Sequence, residues 1–344
     1  MRMTKKSKGR MMLSRKIGNI LLIISLAANF SVYAVDCRQV SSNTKIYQET
    51  DLSGGVLYLA RSNGELEVIA FKLEPSFGEM DKISLSNTET EGWDGVISGT
   101  LHSRASNRTT TIRNICESEG GWPQLTGVLT ESTTNEDFLA ILCRYNINHS
   151  GLGIVGTLFT PKIFQYRDKE IKERPDISEA LSGYEETSEN GDESYYFYKD
   201  NEILRRKIFL ISRNITSDNL NLSRDIAVDL LRGENNAAVA SYISSDRITQ
   251  LIKIAPINSK NASLYNDIAY SLSQAGEKKR AIKLMLDIEK IAPERAPLLL
   301  NIADSLWEID PKRAKTYYER YISKMKSMGT ERKIPPRVIE RTGE

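Results

Sequence analysis

Apolar residues along the chain fall into two textures that change near Ser217. From about residue 46 to 164 they come in short, often alternating runs at 56–60, 66–73, 82–85, 96–101, 109–115, 125–129, 138–145 and 154–159, each bounded by Gly, Asn, Ser or Asp. Period-two runs of this length between turn formers predict about eight antiparallel strands joined by tight turns. A small β-sandwich or barrel follows. From Ser217 onward apolar positions recur at helical spacing, at 222–231, 237–243, 248–254, 263–293 and 312–325. Between the two textures the chain turns polar, with Glu185, Glu186, Glu189, Asp192 and Glu193 around Asn190-Gly191, which predicts a linker or exposed loop. The aromatic run Tyr195-Tyr196-Phe197-Tyr198 then leads into the apolar stretch 203–211, and packing against one of the two halves is its expected use rather than an exposed binding strip. The expected fold class is α+β: an antiparallel β domain at 35–167, an acidic connecting segment at 168–216, an all-α domain at 217–330 and a tail at 331–344.

Within the helical half, Tyr265, Ala269, Leu272, Gly276, Ala281, Met285 and Pro293 fall at the spacings of a helix–turn–helix unit of about thirty-four residues. Small residues at Ala269 and Ala281 let two helices approach, Gly276 occupies the turn, and Pro293 follows the second helix. The first helix recurs with Leu299, Ile302, Ala303 and Leu306; the turn around Asp310-Pro311 is then one residue shorter, and Ala314 answers Ala281. Over 262–325 the chain resembles a tetratricopeptide repeat (TPR) protein. The resemblance implies stacked helical hairpins with a concave groove, lined from the first helices, that holds a peptide, helix or protein surface; its motif residues are structural and transfer no catalytic positions. Residues 222–254 are expected to supply a degenerate preceding layer, because two repeats are fewer than such a stack usually needs, and Pro335-Pro336 to end the last helix and leave an exposed tail.

Candidate partner-binding residues follow from this arrangement. Asn266, Tyr270, Asn301 and Ser305 are expected to line the groove, with Tyr265 and Leu299 mostly core. Two basic clusters, Lys278, Lys279, Arg280 and Lys283, then Lys312, Arg313, Lys315 and Arg320, occupy equivalent places in successive repeats. A solvated helix face is the ordinary meaning of such charge. Stacked in register, they also suggest a basic strip, represented by Lys279, Lys283 and Lys315, that meets an acidic partner surface.

The leader changes the electrostatic picture. The first thirty-four residues carry seven Lys or Arg and no acid, followed by the apolar run 17–32 and by Val32-Tyr33-Ala34. This predicts a secretory signal peptide at 1–34, with an uncleaved anchor as the alternative. Removing those seven positive charges takes the formal charge from +2 to about −5, so the chain offers no electrostatic reason to bind nucleic acid. A periplasmic or secreted location follows, without stable membrane insertion once the leader is cut. Three cysteines, Cys37, Cys116 and Cys143, then permit one disulfide and one leftover thiol. Cys116 and Cys143 lie in strand-like runs and are the first choice of pair, but Cys37 can replace either.

Candidate chemistry is sparse. Gly151-Leu152-Gly153-Ile154-Val155-Gly156 has the glycine spacing of a dinucleotide loop, but strand-like residues and Pro161 follow where a helix is needed, so a hairpin turn is expected. His102 and His149 are too few for a zinc site without other ligands. No nucleophile elbow, His-Glu-x-x-His, phosphate loop or Cys-x-x-Cys occurs. No catalytic, metal or cofactor site is therefore expected. The leading reading is a non-enzymatic periplasmic protein that binds another protein, concretely an immunity or inhibitor protein sequestering a secreted toxin; an envelope-assembly scaffold, or a hydrolase acting on envelope material with a TPR recruitment domain, is the alternative.

Overall fold

The computed structural model describes residues 56–62, 65–75, 95–103, 108–117, 123–132, 137–149, 151, 153–167 and 170–343. The expected leader, Cys37 and the run at 82–85 lie outside these residues.

Antiparallel sheets come first and helices second. Strands β1 (Val56–Ser62), β2 (Glu65–Pro75), β3 (Gly95–Ser103) and β4 (Arg108–Glu117) form one sheet in the order β1-β2-β3-β4. A second sheet has the order β10-β9-β7-β6-β5, built from β5 (Gln124–Ser132), β6 (Asp137–His149), β7 (Ile154–Arg167), β9 (Gly183–Thr187) and β10 (Glu193–Ser194), with β8 (Glu170–Glu173) pairing the far end of β7. Neither sheet closes on itself among the described residues.

Side-chain alternation explains how the second sheet is covered on both faces. Along β6, Leu139, Ile141, Cys143 and Tyr145 enter a core shared with Ile97 of β3 and Ile115 and Cys116 of β4. Phe138, Ala140 and Leu142, which alternate with the first three of these, enter a different core on the opposite face. The sheets are joined covalently as well, since Cys116 of β4 is bonded to Cys143 of β6. An irregularity in β4 aims the cysteine: register slips between Ile97 and Gly99, Asn114 takes φ 51°, and Ile115 and Cys116 are buried in succession.

The opposite face of the second sheet is closed by α1 (Pro175–Leu181) and α2 (Asn201–Ser212). Ile177 and Leu181 of α1 join Leu204, Ile208 and Ile211 of α2 over Ile163, Phe138 and Ala140. A second stripe of α2, at Ile203 and Leu210, enters the helical core instead. One helix thus serves two cores through stripes set one residue apart. The aromatic run divides likewise. Tyr196 stacks on Phe159 with centroids 4.3 Å apart and donates to the Leu181 carbonyl at 2.9 Å, while Phe197 packs on Tyr242.

The helices beyond are α3 (Leu220–Arg232), α4 (Asn236–Tyr242), α5 (Ser245–Ile254), α6 (Ala262–Gln274), α7 (Lys278–Glu289), α8 (Ala296–Leu306), α9 (Pro311–Ser327) and α10 (Pro336–Thr342). Side-chain caps from Asp200, Asn219, Asn235, Ser244 and Asp310 begin α2, α3, α4, α5 and α9. Ala269 faces the α6–α7 hairpin with Ala281, and Ala303 the α8–α9 hairpin with Ala314; all four are fully buried. Gly276 sits between α6 and α7 at φ 89°, a conformation that a side chain disfavours. This region is helical, and α6–α7 and α8–α9 fall at the repeat spacing read from the sequence. Pro335-Pro336 differs from expectation: rather than ending a helix, it leads into α10, whose Val338 is buried in the helical core. Proline at the first helical position costs no hydrogen bond, so the pair starts the helix it was expected to stop.

Candidate functional site

The first helices of the hairpins, α6 and α8, carry the surface with the most recognition chemistry. They are fastened by polar contacts between residues about one repeat apart: Asn301 Nδ2 donates to Asn266 Oδ1 at 3.2 Å, and the Ser273 and Ser305 hydroxyls lie 2.6 Å apart. Ser305, only 1% exposed, also donates to the Asn301 carbonyl at 2.7 Å. Asn266 and Ser305 are therefore occupied in holding neighbouring helices together. Tyr270 differs, being 42% exposed.

Asp304 of α8 stands one repeat after Tyr270, and α10 brings two arginines to it. Arg337 donates to its carboxylate at 3.2 and 2.7 Å, and Arg341 at 3.0 Å. The Arg341 guanidinium also lies over the Trp307 ring, 4.8 Å from its centroid, and contacts the Tyr318 hydroxyl. Two cations on one carboxylate leave an excess of one positive charge beside two aromatic side chains, Tyr270 and the half-buried Trp307. The Asp304 hydrogen bonds hold the Arg337 guanidinium above its usual pKa. Burial, then the Asp304 hydrogen bond, pushes the Tyr318 phenol up to about 12. Asp304, Trp307, Arg337 and Arg341 were not among the sequence candidates. The thirty-four-residue offset from Tyr270 marks Asp304, and the i,i+4 pair Arg337 and Arg341 is visible only once α10 is known to be a helix.

The basic candidates lie on the second helices. Lys279 and Lys283 of α7 and Lys315 of α9 are exposed, and none has an ion pair with another described residue. Their neighbours are committed. Lys278 pairs with Glu308, Arg280 donates to the carbonyls of Ile243 and Ala240 at the end of α4, and Arg320 holds Glu289 at 2.5 Å and the Pro293 carbonyl at 3.1 Å.

A third polar group lies where α2 meets the helical core. The Asp218 carboxylate, 1% exposed, accepts from Lys207 Nζ at 2.7 Å, from the Tyr242 hydroxyl at 2.7 Å, from Arg247 Nη1 at 3.1 Å and from the Tyr198 hydroxyl at 3.2 Å. Lys207, 5% exposed, also donates to the Thr216 carbonyl at 2.5 Å. Burial first, and the Asp218 charge second, raise both phenols above their ordinary pKa. No sequence motif announces this cluster, because its members come from five separate segments.

In the β half, Gly151 and Gly153 lie in the β6–β7 turn and Gly156 in β7 itself, paired with Glu186 of β9. The glycine pattern is thus a hairpin, and at Gly156 a Cβ would sit 2.3 Å from the Glu185 carbonyl, so glycine admits β9. His102 is in β3 of the first sheet and His149 in β6 of the second. Among the described residues, no group of three or more His, Cys, Asp or Glu could hold a metal ion, and no helix is long and apolar enough to cross a membrane.

No protein-family model matches the sequence, and no curated protein matches it. Among solved structures, YrrB, described as a TPR protein with an unusual peptide-binding site, aligns with a TM-score of 0.29 and 12% identity, over 37% of this chain and 62% of the YrrB chain.

Proposed function

We propose that this chain is an exported, non-enzymatic binding protein that holds a segment of another protein on the first-helix face of its TPR-like region. The arrangement of Tyr270, Asp304, Trp307, Arg337 and Arg341 carries this reading: aromatic surface beside an excess positive charge, on helices locked together by buried side chains. Such a face suits a segment with an apolar anchor flanked by carboxylates. Lys279, Lys283 and Lys315 form a second basic surface for the same acidic partner. The buried inter-sheet disulfide supports a periplasmic or secreted location, since such bonds persist in oxidising compartments. The concrete role we favour is an immunity or inhibitor protein that sequesters a secreted toxin, which requires export and a large binding surface but no active site; envelope-assembly scaffolding uses the same surface. Purification of the tagged protein from its own host, with mass spectrometry of what co-elutes, tests the reading. A stoichiometric protein partner lost from Tyr270→Asp/Arg337→Glu supports it, and a partner retained by that variant places the binding surface elsewhere.

A further inference from the structure

The Asp218 cluster opens on a cleft of about 140 Å³ between α2, the turn at 216–218 and α5. Its charge is unbalanced: Lys207 and Arg247 bring two positive charges, Asp218 answers one, and no other described carboxylate bonds to either cation. An uncompensated positive charge in a half-open cleft, with Lys207 buried and Arg247 30% exposed, favours an anion from outside. Arg247 is also oriented for one. Its guanidinium lies over the Tyr242 ring, 4.1 Å from the centroid, and donates one Nη1 bond to Asp218; its other N–H groups have no acceptor among the described residues. A guanidinium fork matches a planar carboxylate better than a point charge does. Thr216, Ser217 and Gln250 make much of the remaining wall polar, and its aliphatic part is Leu251 and Ile254 on α5. Leu251 is buried and Ile254, 59% exposed, forms the rim, with Gln250 between.

We propose that this cleft is a binding site for a carboxylate with a short aliphatic chain, held by Arg247 and Lys207 at its head and by Leu251 and Ile254 along its tail. A cavity of roughly 150 Å³ accommodates benzene, with about six heavy atoms, so a four-carbon acid fills the observed space. The cleft is open at Ile254, so the same chemistry can come from a free acid or from the carboxylate end of a polypeptide. This site is separate from the first-helix face, and neither reading depends on the other.

Ligand-observed NMR on the purified full chain tests the proposal with butyrate as the probe. Saturable transfer to the butyrate methyl is expected, weakened about tenfold or more by Arg247→Met, as loss of a charge-assisted hydrogen bond implies, and about threefold by Ile254→Ser, through lost apolar contact. 1-Butanol is expected not to bind. The rim substitution guards against a variant that fails to fold, because Ile254 is largely exposed. Absence of butyrate binding, equal binding of 1-butanol, or butyrate affinity unchanged by both substitutions overturns the proposal. So does inorganic phosphate that competes fully and ignores Ile254→Ser, since that marks a plain anion site. Within a positive result, tighter binding of N-acetylvaline than of butyrate points to a polypeptide end, and the reverse order to a free acid.

Discussion

Asp218→Ala removes the acceptor on which four donors from three helices and the preceding aromatic run converge. The largest consequence falls on Lys207, which keeps its Thr216 carbonyl but loses its only counter-charge among the described residues while 5% exposed. Deleting one partner of a buried pair costs about 3–5 kcal/mol, because the other charge stays desolvated. The Tyr242 hydroxyl, donating to Asp218 at 2.7 Å, also loses its acceptor there. That loss belongs to the same network and does not add in full. A cost of about 4 kcal/mol is therefore expected, which at a urea m-value of roughly 2.5 kcal/mol/M lowers the midpoint by about 1.6 M. The assay is urea unfolding followed by helical circular dichroism. Two comparisons separate charge burial from side-chain loss. Arg247→Met, at a side chain 30% exposed, is expected to cost about 1 kcal/mol. Lys207→Met combined with Asp218→Asn removes the stranded charge and is expected to recover at least half of the Asp218→Ala loss, about 2 kcal/mol. An Asp218→Ala cost below about 1 kcal/mol, or no recovery in the double variant, refutes the view that the buried charge pair holds α2 to the helical core.

The Cys116→Ser/Cys143→Ser variant is expected to lose about 3 kcal/mol of stability, from reopening a loop of 27 residues, in denaturation followed by a probe in the β half. Gly276→Ala is expected to cost about 1 kcal/mol in thermal unfolding: the added Cβ meets nothing within 4 Å, so the penalty is that of φ 89° alone. Glu234→Gly, which relieves a non-glycine residue at φ 57°, is expected to raise stability by about 0.5 kcal/mol in the same assay. At alkaline pH the buried phenols dominate. Tyr265 and Tyr318 are raised to about 12, and Tyr196, Tyr198 and Tyr242 are raised further, mainly by burial. Because unfolded tyrosines ionise near pH 10, this stabilisation is full below about pH 10 and is lost as pH rises through about 12. Absorbance at 295 nm and helical circular dichroism should then change together for these residues; complete tyrosine ionisation near pH 10 with the helices intact contradicts it.

What the sequence made legible was whatever depends on local period. The runs at 96–101, 109–115, 125–129, 138–145 and 154–159 all lie in strands, and Tyr265, Ala269, Ala281 and Ala314 are buried as the repeat spacing requires. The Cys116–Cys143 pair could be preferred but not fixed, because pairing depends on how two sheets face each other. Elements with mixed composition were obscured. Ile177 and Leu181 are a two-residue apolar face inside a polar stretch, too short for a period to register. At α10, Pro335-Pro336 reads as a stop from one side and a start from the other, and only the burial of Val338 decides between them. The Asp218 cluster is the extreme case, since residues 198, 207, 218, 242 and 247 share no spacing and are gathered by tertiary packing alone.

The measurement that bears most directly on the first-helix face is the affinity of the purified protein for its co-purified partner, compared with the Tyr270→Asp/Arg337→Glu variant under conditions where both give the same helical circular dichroism. Loss of roughly two orders of magnitude, about 2.7 kcal/mol as expected for removing an aromatic anchor and an arginine together, is the predicted result. Affinity unchanged within about threefold, with the fold intact, contradicts it.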